Sequence, residues 1–204
     1  MKYLSIIFAL LFCVVSAASA QEKTPAVQAF SGDAPDDRGS TRVLYWDSVK
    51  NVPLGQLAID FGRPVWKKDY ENQAAFDTFT KGKVWRFGNN FWTTLDTAMP
   101  LKIAGKDVPA GSYYLGLHRS QDGATWSLAF IDPVKARKAN LDAFAIDKAP
   151  VEFMIPISFE RSATSADKLT VVLTANKTNI KDVTLKISWG TLQLTAPIQV
   201  AVRM

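Results

Sequence analysis

The sequence predicts an all-β domain, an antiparallel β-sandwich of immunoglobulin-like (Ig-like) or jelly-roll-like type, with one or two short helices. Three observations predict it. From Arg42 onward, roughly ten or eleven short apolar-rich runs recur at close spacing, punctuated by Gly, Pro, Asn and Asp, which is the rhythm of a many-stranded sandwich or barrel. Most of these runs alternate, so each strand carries one apolar face, and two sheets packed together hide such faces best. Helical signals are confined to two short stretches.

The elements follow in order. Val43–Trp46 opens the series, and Gln56–Phe61 alternates with Leu57, Ile59 and Phe61 on one side. Asp69–Phe79 is a weakly patterned helix. Lys83–Phe87 and Phe91–Leu95 are strands around Gly88-Asn89-Asn90, a tight turn because Gly and Asn tolerate positive φ. Leu101–Ile103 and Lys106–Val108 flank Ala104-Gly105, and Pro109-Ala110-Gly111 leads into Ser112–His118. Asp122-Gly123 joins that strand to Thr125–Ile131 as a hairpin. Asp132-Pro133 places an N-cap and an N1 proline before a helix Val134–Ala139, with Asn140 as its stop. Val151–Phe159, Leu169–Leu173, Val183–Trp189, Leu192–Leu194 and Ile198–Val202 complete the strands, and Ser165–Lys168 reads as a turn.

The organisation expected is a signal peptide at 1–20, a flexible segment at 21–41 and the sandwich domain at 42–204. Lys2, the uncharged run Tyr3–Val15 and the small-residue site Ala18-Ser19-Ala20 before Gln21 form the tripartite export pattern. The run is too short for the roughly 20 residues of a spanning helix, and no later segment qualifies. Export, to the periplasm or the outside, is therefore expected. The one cysteine, Cys13, leaves with the leader, so no disulfide, thiolate metal site or cysteine nucleophile is expected in the mature domain. Residues 21–41 are rich in Gln, Pro, Ser, Gly and Asp, a composition that does not build a core.

The chain carries 24 basic and 19 acidic residues. The bases are dispersed, and the densest stretch, Arg63–Arg86, is diluted by Asp69, Glu71 and Asp77. A basic stripe with a docking motif is missing, so nucleic acid is not an expected partner. Histidine occurs once, at His118, which excludes multi-histidine zinc sites. No G-x-S-x-G elbow and no cofactor fingerprint occurs, so no catalytic residue, metal or cofactor is assigned.

One constellation invites a ligand. Strand alternation puts Asn90, Trp92, Thr94 and Asp96 on one face and Tyr114, Gly116 and His118 on one face of a second strand. If those strands are neighbours, Trp92, Tyr114 and His118 form an aromatic, polar shelf, and Arg86 and Asn90 supply forked hydrogen bonds beside it. The ligand-binding candidates are Arg86, Asn90, Trp92, Tyr114 and His118. The competing reading is that Trp92 and Tyr114 fill the core and that Arg86 braces a loop.

Ile59-Asp60-Phe61-Gly62-Arg63-Pro64, the stretches Lys83–Asn90 and Ile103–Tyr114, Trp126-Ser127-Leu128-Ala129-Phe130 and the late Ile187-Ser188-Trp189 occur in this order. That ordered set resembles a bacterial family catalogued as a domain of unknown function, DUF2911, over residues of about 57–200. Asn89 stands where that family usually has Ala, and Phe61 replaces its Tyr. The resemblance implies an exported β-rich domain and no particular activity. The function expected is an exported, non-enzymatic binding or interaction module of the cell envelope, taking a small molecule, a glycan or an envelope protein. The alternative is a carboxylate-dependent hydrolase of a glycan or peptidoglycan-type substrate, with Asp60, Asp96 and Asp132 as the acids to test.

Overall fold

A computed structural model describes residues 37–202. The expected leader, and residues 21–36 of the expected flexible segment, lie outside the described residues. Among the described residues ten strands are present: β1 (Arg38–Asp47), β2 (Val52–Gly62), β3 (Lys83–Arg86), β4 (Thr93–Thr97), β5 (Leu101–Ile103), β6 (Lys106–Val108), β7 (Gly111–Arg119), β8 (Trp126–Ile131), β9 (Val151–Ala175) and β10 (Asp182–Val200). Two α-helices, α1 (Gln73–Thr80) and α2 (Pro133–Lys138), and two 3-10 helices, Lys68–Glu71 and Ala143–Lys148, lie between them.

The strands are hydrogen-bonded in the order β1-β2-β4-β7-β8-β9-β10-β5-β6, and every pair is antiparallel. Strand β3 lies end to end with β4 along the same edge of β7: Arg86 pairs with Gly116, and Thr93 with Leu115. The turn at Gly88–Asn90 therefore links two collinear strands. Gly88 and Asn90 have the positive φ expected of them, 112° and 60°.

The sandwich forms because β9 belongs to both layers. Its first part, to Ile157, pairs with β8, and from Ser158 onward it pairs with β10. The alternating residues of both layers, among them Leu57, Ile59, Leu95, Leu115, Leu128 and Ile155 from one and Val171, Leu185, Ile187, Leu194 and Ile198 from the other, meet in a single buried cluster. Burial of this apolar surface is the main stabilising term. The antiparallel sandwich expected from the alternation is what the chain adopts.

Local results differ from the sequence reading. Val183–Trp189, Leu192–Leu194 and Ile198–Val202, read as three strands, belong to one strand, β10, which ends at Val200. Strand β1 begins at Arg38, because Arg38 Nε donates to Asp60 Oδ1 at 2.8 Å and the ladder with β2 runs to Arg38 itself. Ser165–Lys168 is part of strand β9 and not a turn, since Ala166 pairs with Gly190 of β10. The expected helix 69–79 divides into a 3-10 turn and α1, because Asn72 caps α1 by accepting from the N–H groups of Ala74 and Ala75.

An aromatic cluster fills one end of the interlayer space. Trp66 meets Trp189 edge-on at 5.1 Å and Tyr70 at 5.4 Å, and Trp85 meets Trp126 at 6.0 Å. The Trp189 indole donates to the Pro64 carbonyl at 2.9 Å. Gly190, with φ 58°, lets the Trp66 ring lie on the backbone, for a Cβ there would sit 2.3 Å from it.

Candidate functional site

The outer face of β4, β7 and β8 is not bare. The segment after β8 folds back over it, and Ile131, Ala136, Ile146 and Ala149 form a second small core there, with Val84, Trp92, Tyr114, Leu141 and Val151 packed around it. The return is set locally. Asp132 Oδ1 accepts from Val134 N at 2.7 Å and Lys135 N at 3.4 Å, and Pro133 starts α2, as the Asp-Pro pair predicts. Asp142 caps the following 3-10 helix in the same manner.

Where α2 does not cover the sheet, an open concavity of about 510 Å³ remains. Thr94 and Asp96 come from β4, Ser112, Tyr113 and Tyr114 from β7, and Asp132, Pro133, Val134 and Arg137 from the end of β8 and from α2. A second concavity of about 370 Å³ adjoins it, shares Ser112, Tyr113 and Asp132, and extends to Glu152 and Phe153.

The polar groups here are mutually oriented. The Ser112 hydroxyl donates to Asp96. Arg137 Nη1 donates to the Tyr114 hydroxyl at 3.1 Å. The Lys135 ammonium donates to both Glu152 oxygens, at 2.7 and 2.9 Å, and this contact raises the Lys135 pKa. Tyr113 donates to the Pro109 carbonyl at 3.0 Å, while its partial burial, and then the nearby Asp132 charge, push its phenol pKa up. Carboxylate acceptors, a guanidinium donor and the C–H surface of Pro133 and Val134, the latter 65% exposed, surround one space.

The five candidate residues do not all converge on this space. Tyr114 lines it. Trp92 stands behind Tyr114, stacked on it at 4.6 Å with planes 1° apart. The two strands are neighbours, as the shelf required, but the rings are spent on each other and do not offer two free faces side by side. The Arg86 guanidinium lies 4.1 Å from the Phe144 ring centroid, so it braces the 3-10 helix against the sheet. Asn90 holds a left-handed position in the Gly88–Trp92 loop. His118 pairs with Val84 and Ser127. It is four residues along β7 from Tyr114, about 13 Å at strand rise, and Val84 and Ile146 close over Gly116 between them.

Of the acids, Asp96 and Asp132 line the same concavity, while Asp60 is held in an ion pair by Arg38. Ser112 and Asp96 are a hydroxyl and an acceptor in contact, but His118 lies six residues further along β7, about 20 Å away, so no imidazole reaches that hydroxyl. Among the described residues no group of three or more His, Cys, Asp or Glu is arranged to hold a metal ion. No helix of the described residues is long and apolar enough to cross a membrane.

Arg137 and Ser112 were not foreseen as site residues. The Asp132-Pro133 start located α2 in the sequence, but that α2 folds back over β7 is a tertiary fact with no short-range signal.

The motif residues gather elsewhere. Gly62 lies under Asn89, where a Cβ would come within 2.3 Å of the Asn89 carbonyl oxygen, and Gly88 rests on the Gly62 backbone. Pro64 accepts from Leu169 N at 3.0 Å as well as from Trp189. The Ile59–Pro64, Trp85–Asn90 and Ile187–Trp189 stretches thus form one structural joint between the two layers.

Fold and site define a β-sandwich domain with an open lateral concavity bordered by a returning helix. No curated protein and no solved structure shows detectable similarity to the chain. A family model does match, over residues 43–198, and the chain belongs to that family, described as a protein of unknown function (DUF2911).

Proposed function

We propose that this domain is an exported, non-enzymatic binding module of the cell envelope, and that the concavity beside Tyr114 holds a segment of glycan. One observation carries the reading: Asp96, Asp132, Arg137 and Tyr114 surround a space of about 510 Å³ together with the apolar surface of Pro133 and Val134. Sugar rings present hydroxyls that donate and accept, and C–H faces that pack on apolar surface. The leader-like residues 1–20 support export. Calorimetric titration of the purified chain with a panel of envelope oligosaccharides tests it. Binding by at least one oligosaccharide is expected, weakened about tenfold or more in Arg137→Ala, the cost of losing one charge-assisted hydrogen bond. Binding that is unaffected by Arg137→Ala refutes the site.

A second reading, a carboxylate-dependent hydrolase, is favoured by the presence of both Asp96 and Asp132 in the concavity. Against it, Asp132 Oδ1 is committed to capping α2 and Asp96 to the Ser112 hydroxyl. Turnover of the same panel, abolished in Asp96→Asn, would establish the hydrolase.

A further inference from the structure

The β1–β2 hairpin, whose strand β2 pairs Ala58 with Asp96 of the concavity, carries beyond that pairing a surface that the concavity does not explain. The β1–β2 hairpin tip exposes Leu44 (56%), Trp46 (50%), Val49 (93%), Val52 (41%) and Leu54 (37%). The turn is held locally: the Asp47 carboxylate accepts from Val49 N at 3.0 Å and Lys50 N at 2.9 Å, and these contacts lower its pKa. Five large apolar side chains, Val49 on the turn and four on the strand ends beside it, go beyond the scattered exposure usual on a soluble surface.

Neighbouring loops are tied to this hairpin. The Tyr45 hydroxyl donates to the Ile180 carbonyl at 2.9 Å, and Ala98 N to the Gln56 carbonyl at 3.0 Å. Ile180, which is 49% exposed, lies at this end as well. Beside it opens a concavity of about 400 Å³ with Lys102, Lys181, Asn179 and Gln199 in its lining. Two acids also line it. Asp107 sits 3.4 Å from the Lys102 ammonium, and Asp182 accepts from the Asn179 amide at 2.8 Å. Lys181 is a half-buried residue, and among the described residues nothing engages its ammonium by hydrogen bond or ion pair.

We propose that this end of the sandwich docks on an anionic lipid bilayer, with the hairpin tip entering the headgroup–acyl boundary and the Lys181 concavity facing the lipid phosphates. An apolar prong with an unengaged lysine beside it suits an anionic interface, and the other cations at this end, Lys50 and Lys102, are each ion-paired to an aspartate. Trp46 has the amphipathic ring that settles at headgroup depth. A protein partner or a second copy would have to present a concave surface matched to the prong. Insertion of a tip into lipid needs no matching concave surface.

The test is co-sedimentation of the purified chain with phosphatidylethanolamine vesicles containing phosphatidylglycerol, and with neutral phosphatidylcholine vesicles. Wild type is expected to pellet with the anionic vesicles and to be released as salt rises, since exposed charges are screened. Val49→Glu should cut the bound fraction about tenfold without unfolding the chain, for Val49 is almost fully exposed. Lys181→Glu should remove the preference for anionic over neutral vesicles, and brominated lipids should quench wild type more than Trp46→Phe. Wild type left in the supernatant with both vesicles overturns the proposal, as does a Val49→Glu protein that pellets like wild type. So does a dimer by light scattering that Val49→Glu converts to monomer with no vesicle binding in either.

Discussion

Replacing Gly190 by Ala tests how the aromatic end of the sandwich is held. Gly190 has φ 58°, and an added Cβ would lie 2.3, 2.4 and 2.6 Å from three atoms of the Trp66 ring. Two costs follow. An alanine in the left-handed region costs about 1–2 kcal/mol. The ring must also move, and Trp66 is packed on Trp189 at 5.1 Å and Tyr70 at 5.4 Å. Each aromatic pair is worth about 0.5–1.5 kcal/mol, so losing both adds roughly 1–3. The total is about 2–5 kcal/mol, a fall of roughly 4–20 °C in Tm for a domain of this size. Urea titration followed by near-ultraviolet circular dichroism reads both the stability and the tryptophan environment. In a Trp66→Leu background the same Gly190→Ala change should cost only the backbone share, about 1–2 kcal/mol. A Gly190→Ala loss below about 1 kcal/mol, or the same loss in both backgrounds, would refute the reasoning.

Two further outcomes are expected. Arg119, with Thr80, Gly123 and Asp77 as partners, holds the α1 end against β7, and hydrogen bonds from Lys81, Arg119 and Gln73 keep the Asp77 carboxyl well below the usual carboxylate range. A depressed folded-state pKa contributes stability above the ordinary value that is lost as pH falls through the folded one, so the Tm of wild type should fall from about pH 5 downward, and Asp77→Asn should be less stable at neutral pH with a flatter acid limb; an unchanged limb would contradict the role. Trp189→Phe removes the indole donor to Pro64 but leaves that carbonyl its bond from Leu169 N, so chemical denaturation should show a loss near 1–2 kcal/mol, not the larger cost of an orphaned buried acceptor.

The parts of the fold that were legible in the sequence are those where burial is one-sided. Val151–Ile157 and Val183–Ile187 alternate because one face meets the core, and their strands were readable from that alone. The middle of β9, Ser158–Lys168, is exposed or half-exposed throughout. It carries no period-two signal where the strand passes from one layer to the other, so one strand of 25 residues read as two short strands and a turn. Strand pairing was legible only in part. Alternation assigned Trp92 and Tyr114 to faces of their strands but left the pairing of those strands a condition, and the end-to-end placement of β3 and β4 on β7 depends on Gly62 accepting the Asn89 loop, a contact between distant residues. The same limit applies to the site. Asp132-Pro133 announced a helix, but Arg137 became a site residue only when that helix folded back to bring it to the Tyr114 hydroxyl.

The measurement that bears most directly on the account is amide chemical-shift mapping by NMR during titration with an oligosaccharide that the calorimetric panel identifies. The account predicts shifts concentrated at Thr94–Asp96, Ser112–Tyr114 and Asp132–Arg137, with His118 and its neighbours unmoved. Shifts centred on another face of the sandwich, or saturation with no change at those three segments, would contradict it.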